Sequence, residues 1–398
     1  MVLLLTAPGR QPNGRPRVAF VINSLSGGGA ERVMSTLLRA SVTERSECDI
    51  TLMLLDREKP AYEVPDWVEI VQLDCRHSLL RSLTSLTAAF RRLRPDITVS
   101  FLTRANVANV AAASLLGIPA IISERVNTSS HLSQGSGAAL AKLLVKWSYP
   151  KARKVIAVSP GVADDLHRLF GVPESRISII SNPIDIDEIR KQAGEDVPEL
   201  ADEPYVAAMG RLVPNKNFRM LIEAFALSGL DGRLLILGEG PERAALQRQI
   251  DTLGLPGRVI MPGFAANPFP ALRRAALFVL PSNAEGFPNA LLEAMSVGVP
   301  VISTNCLSGP AEVLAALPRE RVAAGVCLAE YGILVTPDDP AAMADALRAM
   351  QEPERRLHYR QRAAMRAADF SVERAKNAYW AVIRSHLGLA DRASAAHR

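Results

Sequence analysis

Short apolar segments alternate with amphipathic segments along almost the whole chain, and this alternation constrains the fold more than any other feature. A first series of apolar segments occupies 17–22, 49–55, 96–101, 120–123 and 154–159. The pattern then restarts, beyond the segment 177–180, at 205–210, 233–238, 259–261, 277–281, 299–303 and 332–335. Apolar strands separated by helices are typical of parallel sheets covered on both faces. The sequence therefore predicts an α/β protein with two doubly wound, Rossmann-like domains.

The length of 398 residues suits two domains of ordinary size. We expect a disordered leader at 1–16, a first domain at 17–185 and a second domain at 186–370, with a linker near 183–204. A last segment at 371–398 is expected to cross back onto the first domain as a helix. Such folds bind ligands at the carboxyl ends of their strands, so we expect the two domains to face each other across a ligand-binding cleft.

Composition narrows the classes of partner. The chain is 48% hydrophobic and 22% charged, as is typical of a soluble globular protein, and its net charge of +5 comes from scattered Lys and Arg. Nucleic acid is therefore not a predicted partner. The four cysteines show no CxxC spacing, which favours reduced thiols in a cytosolic protein. The apolar run at the start is too short for a signal peptide, and none approaches a membrane span, so we predict a cytoplasmic protein.

Two carboxylates, Glu285 and Glu293, follow the apolar segment 277–281. The spacing predicts Glu285 in the loop before a helix and Glu293 about two turns inside it, with the carboxylates about 80° apart around the axis. Such a pair could hold the hydroxyls of a polyol beside a helix N-terminus that suits a phosphate. Two ordinary helix-stabilising glutamates are the alternative. The apolar neighbours of Glu293 count against it, because an unpaired buried carboxylate is costly.

In each predicted domain, a further motif follows the first strand. Arg211 and Lys216 lie five residues apart on the loop after 205–210, where fixed positive charge would suit a departing diphosphate. A solvated surface pair is the alternative. The glycines at 27–29 precede a helix and would let backbone approach a ligand closely. A structural turn explains them equally well.

Taken together, these motifs resemble those of the retaining glycosyltransferases of family 4, which have the GT-B fold of two Rossmann-like domains. The resemblance covers about 17–385 and rests on the segments 26–32, 181–185, 210–217 and 237–242, and on the E-x7-E spacing from Glu285 to Glu293. Many members have glycine where this chain has Pro288, and proline lacks a backbone donor. Contacts to the donor sugar are therefore expected to differ.

The resemblance implies a role for each matched position. Arg211 and Lys216 would neutralise the donor diphosphate, Glu293 would bind the ribose and Glu285 the sugar hydroxyls. The remaining implied donor-binding residues are Gly28, Gly29, Gly238, Glu239, Gly286, Phe287 and Asn289.

On the acceptor side, the segment 122–127 resembles one found in bacterial polysaccharide and glycolipid members. Glu124 would orient an acceptor hydroxyl and Arg125 would meet an acceptor phosphate, with Asn127 and His131 as further candidates. A salt-bridged strand end explains the same residues equally well. The basic amphipathic segments 79–92 and 138–149 suit a membrane interface or, alternatively, ordinary domain helices.

The sequence thus predicts a retaining, metal-independent glycosyltransferase without a cofactor, with Arg211, Lys216, Glu285 and Glu124 as its catalytic residues. The predicted donor is a UDP- or GDP-linked sugar, and the predicted acceptor a glycan or a polyprenyl- or lipid-linked hydroxyl at the cytoplasmic face of the membrane. Bacterial cell-surface polysaccharide or glycolipid assembly is the predicted setting. The alternatives are a sugar-nucleotide epimerase on the same fold and a non-catalytic carbohydrate-binding protein.

Overall fold

The computed structural model describes residues 14–132, 137–195 and 204–387. Most of the predicted leader, part of the predicted linker and the end of the last segment lie outside these described residues. The chain forms two compact units. Of the described residues, unit 1 comprises 14–132, 137–158, 162–183 and 372–387, and unit 2 comprises 159–161, 184–195 and 204–371.

Unit 1 is built on a parallel sheet of seven strands in the order β3-β2-β1-β4-β5-β6-β7. The strands are β1 (Arg17–Ile22), β2 (Asp49–Leu54), β3 (Glu69–Gln72), β4 (Ile97–Phe101), β5 (Ala120–Glu124), β6 (Lys154–Ala157) and β7 (Ile177–Ile179). The helices are α1 (Gly29–Ala40), α2 (Leu79–Leu93), α3 (Thr103–Leu116), α4 (Thr128–His131), α5 (Ala138–Ser148) and α6 (Pro160–Phe170). The central strands β4 and β5 are buried along their whole length, as expected for a parallel sheet covered on both faces.

Unit 2 repeats this plan with a sheet in the order β10-β9-β8-β11-β12-β14-β13. Its strands are β8 (Tyr205–Met209), β9 (Arg233–Leu237), β10 (Val259–Gly263), β11 (Leu277–Leu280), β12 (Val301–Thr304), β13 (Val326–Leu328) and β14 (Ile333–Val335). The helices are α7 (Ile186–Gln192), α8 (Phe218–Ser228), α9 (Arg243–Thr252), α10 (Phe269–Arg274), α11 (Asn289–Ser296), α12 (Pro310–Leu314), α13 (Pro340–Ala349) and α14 (Pro353–Ala368). All strands are parallel except β13, which pairs antiparallel with β14 at the sheet edge.

These two sheets confirm the predicted fold class of two doubly wound, Rossmann-like domains. In each sheet the chain winds outward in one direction and then in the other, and the reversal falls between β1 and β4 in unit 1 and between β8 and β11 in unit 2. Such reversals leave a crevice at the carboxyl ends of the two central strands, where ligands bind in folds of this kind. The loops that follow β1, β4, β8 and β11 are therefore the places to look for a site.

The last helix, α15 (Val372–Leu387), packs on unit 1. Trp380 Nε1 donates to Ser41 Oγ at 2.7 Å, and the Trp380 ring meets the Phe20 ring edge-on. Arg384 pairs with Glu44 and Glu47 at 3.2 and 2.9 Å. The helix therefore contributes both apolar and charged contacts to the core of unit 1.

The two basic amphipathic helices differ in what they bury. Helix α2 turns most of its large apolar side chains inward, with Leu80 exposed at its start. Helix α5 instead leaves Leu140, Leu143 and Trp147 exposed by 63%, 63% and 52%. Among the helices that the structure describes, none is both long enough and apolar enough to cross a bilayer.

Candidate functional site

An ion pair joins the exits of β8 and β11 at the strand-order reversal of unit 2. Lys216 Nζ lies 2.6 Å from Glu285 Oε1, and Ser282 Oγ donates to the same oxygen at 2.6 Å. The two charged side chains are 24% and 10% exposed, so water screens the pair less than it would an open surface pair. The lysine predicted to bind a diphosphate and the carboxylate predicted to bind sugar hydroxyls are thus in direct contact.

Hydrogen bonds on both sides hold the backbone of Lys216 in place. Asn215 Nδ2 donates to the carbonyl oxygen of Ala284 at 2.8 Å, which ties the β8 loop to the β11 loop. Asn217 adopts a left-handed conformation with φ of 50°, caps α8 and donates to Asp338 at 2.7 Å. The lysine is therefore presented by a fixed loop, as preorganised electrostatic stabilisation requires.

Arg211 is the unpaired cation of this edge. Its side chain is exposed, and within the described part of the chain its guanidinium has no hydrogen-bond or ion-pair partner. The loop that carries it packs tightly on the second glycine turn: a Cβ at Gly238 would overlap the carbonyl oxygen of Gly210, and one at Gly240 would overlap that of Leu212. Close approach of two backbones is sufficient to require glycine at both positions.

Glu239, predicted to lie near the nucleobase, is exposed and already paired. Its carboxylate accepts from Arg243 Nη1 at 2.9 Å, and Arg243 Nη2 donates to the carbonyl oxygen of Met261 at 2.7 Å. An exposed ion pair of this kind is weak, so a ligand could compete for either partner.

The segment that carries both glutamates differs from the predicted geometry in one respect. Helix α11 begins only at Asn289, so Glu293 lies about one turn inside it, and the prediction of two turns is wrong. Pro288 precedes the helix with ψ of 70°, which is not helical, so Glu285 lies outside the helix and the predicted angle of about 80° does not apply. Glu293 is 4% exposed and Phe287 7% exposed, with the Phe287 ring packed 5.6 Å from that of Phe370.

In unit 1 the glycine loop ends at the N-terminus of α1. Gly28 is the N-cap residue, and Gly27 to Gly29 are exposed. A Cβ at Gly28 would meet the carboxylate of Glu31, which lies over this helix end. Burial raises the pKa of Glu31, although a backbone hydrogen bond opposes this. A phosphate bound at this helix end would therefore meet a carboxylate already placed over it.

The predicted acceptor residue Glu124 is buried, with 1% of its surface exposed. Its carboxylate accepts from the Tyr149 hydroxyl, from Thr103 Oγ1 at 3.5 Å and from the backbone N–H of Arg125 at 3.0 Å. Burial raises the pKa of Glu124 against these hydrogen bonds. The structure places this carboxylate inside unit 1 rather than on its surface.

Arg125 is held in the same buried network. It is 6% exposed, and its guanidinium donates to Ser123 Oγ at 3.2 Å and to the oxygens of Tyr379 and Asn182. Its guanidinium carbon lies 5.0 Å from the centroid of the Phe101 ring. The contact with Tyr379 links the β5 exit to α15.

The other two predicted acceptor residues lie on α4. Asn127 is 7% exposed and caps this helix, accepting from Ser130 N at 3.1 Å and Ser129 Oγ at 3.0 Å. His131 ends the helix, and its side chain lies outside the described part of the structure. The described side chains of the predicted acceptor set are thus engaged within unit 1.

A polar cluster that the sequence interpretation missed lies at the carboxyl edge of unit 1. Asp56, beyond β2, is buried and pairs with Arg104, which follows β4. His77 donates its backbone N–H to Asp56 Oδ1 at 2.9 Å and places Nδ1 3.3 Å from Asp56 Oδ2. Its Nε2 lies 3.6 Å from Glu58, which accepts from Ser24 at 2.6 Å.

Two features of this cluster suit ligand contact. The His77 side chain is 72% exposed, and the residue has φ of 56°, a strained value for a residue other than glycine. Hydrogen bonds from Ser24 and Ser26 lower the pKa of Glu58, which keeps this carboxylate ionised and able to accept from hydroxyls. A polar residue directly after an apolar strand is the sequence signal that could have found Asp56.

Two family profiles match the chain, one in each unit. The family described as "Glycosyltransferase Family 4" matches residues 27–188, and the one described as "Glycosyl transferases group 1" matches residues 203–352. The first match includes the glycine loop and Glu124, and the second includes Arg211, Lys216 and both glutamates of the E-x7-E spacing.

Similar proteins agree with these matches. The N-acetylgalactosamine-N,N'-diacetylbacillosaminyl-diphospho-undecaprenol 4-alpha-N-acetylgalactosaminyltransferase of Campylobacter jejuni is 29% identical over 367 residues, which cover 89% of this chain and 95% of the relative. The amylovoran biosynthesis glycosyltransferase AmsD of Erwinia amylovora is 25% identical, covering 75% of this chain and 83% of its own. The crystal structure of Anabaena HepE in complex with UDP matches with a TM-score of 0.71 at 21% identity, over 93% of this chain and 100% of HepE.

The two parallel-sheet units, the paired charges at the exits of β8 and β11, and these matches define a glycosyltransferase with the GT-B fold. Both family profiles and the similar proteins also indicate which family of glycosyltransferases this chain belongs to. The chain belongs to the family 4 type of these enzymes.

Proposed function

We propose that this enzyme transfers a sugar, with retention of anomeric configuration and without a metal ion, from a UDP- or GDP-linked donor to a hydroxyl of a glycan or a polyprenyl- or lipid-linked acceptor. Assembly of a bacterial cell-surface polysaccharide or glycolipid is the proposed setting. The observation that carries the proposal is the contact of Lys216 with Glu285 at 2.6 Å, on the loop that also carries Arg211, whose guanidinium has no partner among the described residues.

The charges at this edge suit a diphosphate leaving group. As the bond from the sugar to the diphosphate breaks, negative charge grows on the phosphate oxygens. Lys216 is held by its loop, and the Arg211 guanidinium offers a planar set of N–H donors that matches phosphate oxygens. Fixed donors aimed at developing charge are each worth roughly 10²- to 10³-fold in rate. Two such cations can stabilise the leaving group without a metal ion.

Glu285 is assigned to the donor sugar rather than to covalent catalysis. One of its oxygens already accepts from Lys216 and Ser282, which reduces its nucleophilicity and fixes its direction. Attack by the acceptor hydroxyl on the face that the diphosphate leaves is therefore favoured over a double displacement through a glycosyl-enzyme. We assign Glu293, on the following helix, to the ribose.

The acceptor assignment changes with the burial of Glu124 and Arg125. The hydrogen bonds of the Glu124 carboxylate and of the Arg125 terminal nitrogens are made inside unit 1. We therefore propose that these residues position the β5 exit instead of contacting an acceptor. The exposed His77 and Glu58 at the same sheet edge can exchange hydrogen bonds with hydroxyls. We assign them to the acceptor.

A lipid-linked acceptor is supported by the name of the Campylobacter relative, which includes diphospho-undecaprenol. Such an acceptor lies in a membrane, and the exposed Leu140, Leu143 and Trp147 of α5 suit the bilayer interface. We therefore propose peripheral contact of unit 1 with the cytoplasmic face of the membrane.

A panel of UDP- and GDP-linked sugars, incubated with lipid-linked acceptors with and without a chelator, tests the proposal. We expect release of one nucleoside diphosphate, unchanged by the chelator, and a product whose anomeric configuration by NMR equals that of the donor. Inversion, or loss of turnover with the chelator, would overturn the mechanism. Interconversion of the sugar without transfer would identify an epimerase, and binding without turnover a carbohydrate-binding protein.

A further inference from the structure

A basic pocket lies at the amino ends of β5, β6 and β7, on the opposite edge of the unit 1 sheet from Glu124. Its volume is about 470 Å³, which is within the range of pockets that hold small ligands. Four basic side chains line it, namely Lys151, Arg153, Arg176 and His386. The predicted donor and acceptor residues are not among the lining residues, so the pocket is separate from the site described above.

The positive charges of this pocket are not balanced by the protein. Within the described residues, none of Lys151, Arg153 and Arg176 forms an ion pair. Arg176 donates to the carbonyl oxygens of Pro150 and Ala152, which holds it in place while its charge stays uncompensated. Cations kept close together repel one another, and an anion bound between them would relieve that repulsion.

The sequence around the pocket is basic over a long stretch. No Asp or Glu occurs between Glu124 and Asp164. The Lys and Arg residues in the same interval are Arg125, Lys142, Lys146, Lys151, Arg153 and Lys154. This one-sided charge complements an anionic surface.

The pocket also adjoins the exposed apolar face of α5. Lys151 Nζ lies 3.3 Å above the centroid of the Trp147 ring, so one side chain belongs to both features. Helix α5 packs on α3, whose Leu115 is 69% exposed near the pocket wall. A phosphate site flanked by exposed Leu and Trp side chains matches a membrane lipid, which presents a charged headgroup above apolar chains.

We propose that this pocket binds the headgroup phosphate of an anionic membrane lipid while the exposed face of α5 contacts the bilayer interface. The inference rests on the membrane contact proposed above and adds to it a specific site. The pocket would fix the orientation of unit 1 on the membrane through its amino edge, apart from the residues assigned to donor and acceptor.

Sedimentation of the full chain with phosphatidylcholine vesicles, with and without phosphatidylglycerol, tests this. The pocket variant Lys151→Gln/Arg153→Gln should bind the phosphatidylglycerol vesicles about tenfold more weakly than the parent chain, since each cation near an anionic surface contributes substantially to binding. The charge-matched control Arg248→Gln/Arg360→Gln removes two exposed arginines of unit 2 and should change binding by less than about twofold. Donor hydrolysis should be the same in all three proteins.

Further variants and measurements distinguish the membrane contact of α5 from ligand binding in the pocket. The variant Leu140→Ser/Leu143→Ser should lose binding to both kinds of vesicle, which tests the membrane contact independently of the pocket. Equal binding by the pocket variant and its control would overturn the pocket assignment. A thermal shift with inorganic phosphate that the pocket variant lacks, without any change in vesicle binding, would overturn the lipid as its source. If the parent chain does not hydrolyse any donor, that result would count against the proposed function but not against the pocket assignment.

Discussion

Charged side chains follow parallel strands at the carboxyl edges of both sheets, yet the two units use them differently. In unit 2, Lys216 and Glu285 remain partly exposed, and each has a partner that a ligand could replace. In unit 1, Glu124 and Arg125 are almost fully buried and are held by Tyr149, by Tyr379 and by neighbouring polar groups.

This difference distinguishes charged residues that can bind a ligand from charged residues that hold the surrounding structure in place. The partly exposed charges of Lys216 and Glu285 can exchange their partners for a ligand at little cost. A charge with every partner inside the protein fixes the loop that carries it, and its loss leaves buried groups unsatisfied. Substitutions in unit 2 should therefore change catalysis with little effect on stability, and substitutions in the buried network of unit 1 should do the reverse.

The largest effect is expected for Lys216→Ala. Because the ammonium would stabilise charge that develops as the diphosphate leaves, kcat should fall by roughly 10²- to 10³-fold. The melting temperature should fall only modestly, since Ser282 still donates to the Glu285 oxygen that loses the lysine. Steady-state kinetics with the donor identified by the nucleotide-sugar panel, together with calorimetry, measure both quantities.

The control for that variant is Lys191→Ala, which removes another unit 2 lysine that pairs with Glu188 at 3.7 Å on the helix surface. It should keep nearly full activity. Near-normal kcat in Lys216→Ala would show that the diphosphate does not bind at the exits of β8 and β11.

For Arg125→Leu, a large effect on stability and little effect on catalysis is expected. The substitution removes the charged donor shared by the buried oxygens of Ser123, Tyr379 and Asn182, which should cost about 2–3 kcal/mol of stability. Calorimetry should show a lower melting temperature, whereas kcat per folded molecule should stay close to that of the parent chain. Replacement of the exposed Arg81 by Leu is the matched control and should leave both unchanged. An unchanged melting temperature with a raised acceptor KM would restore Arg125 to the acceptor site.

The sequence was sufficient to predict the fold because the alternation of apolar strands and helices reports burial directly. The strands β3 and β13 were not predicted, because the prediction depends on apolar runs. Both are short strands at sheet edges with partly exposed residues, so neither has an apolar run to reveal it.

The residues of the candidate site could be identified from the sequence, but the contacts between them could not. Motif spacing located Lys216 and Glu285, yet their ion pair joins positions 69 residues apart and depends on β8 lying next to β11. The pairing of Asp56 with Arg104 likewise depends on β2 and β4 flanking β1. The burial of Arg125 depends on α15, more than two hundred residues further along the chain. Local sequence carries none of these long-range relations.

A smaller effect is expected for His77→Asn, which tests the accessible cluster of unit 1. Asparagine tolerates the positive φ of this position, so the backbone should be unaffected. Loss of a hydrogen bond to the acceptor should raise the acceptor KM about tenfold while donor hydrolysis stays unchanged. His167→Asn removes a comparable histidine beside Glu174 and should have no such effect. An unchanged acceptor KM in His77→Asn would show that this cluster does not contact the acceptor.

The smallest effect, expected for Glu124→Gln, concerns pH. Burial raises the folded-state pKa of Glu124 above its unfolded value, so the stability it contributes is fully present below the unfolded pKa and is lost as pH rises through the folded pKa. Glutamine keeps the shape without the charge and has no such loss. The melting temperature of the variant relative to that of the parent chain should therefore rise as the pH increases above the ordinary glutamate pKa. Glu354→Gln, at an exposed position, should show no trend. A trend of opposite sign for Glu124→Gln would mean that Glu124 is held ionised by its hydrogen bonds, as a carboxylate assigned to a catalytic role would be.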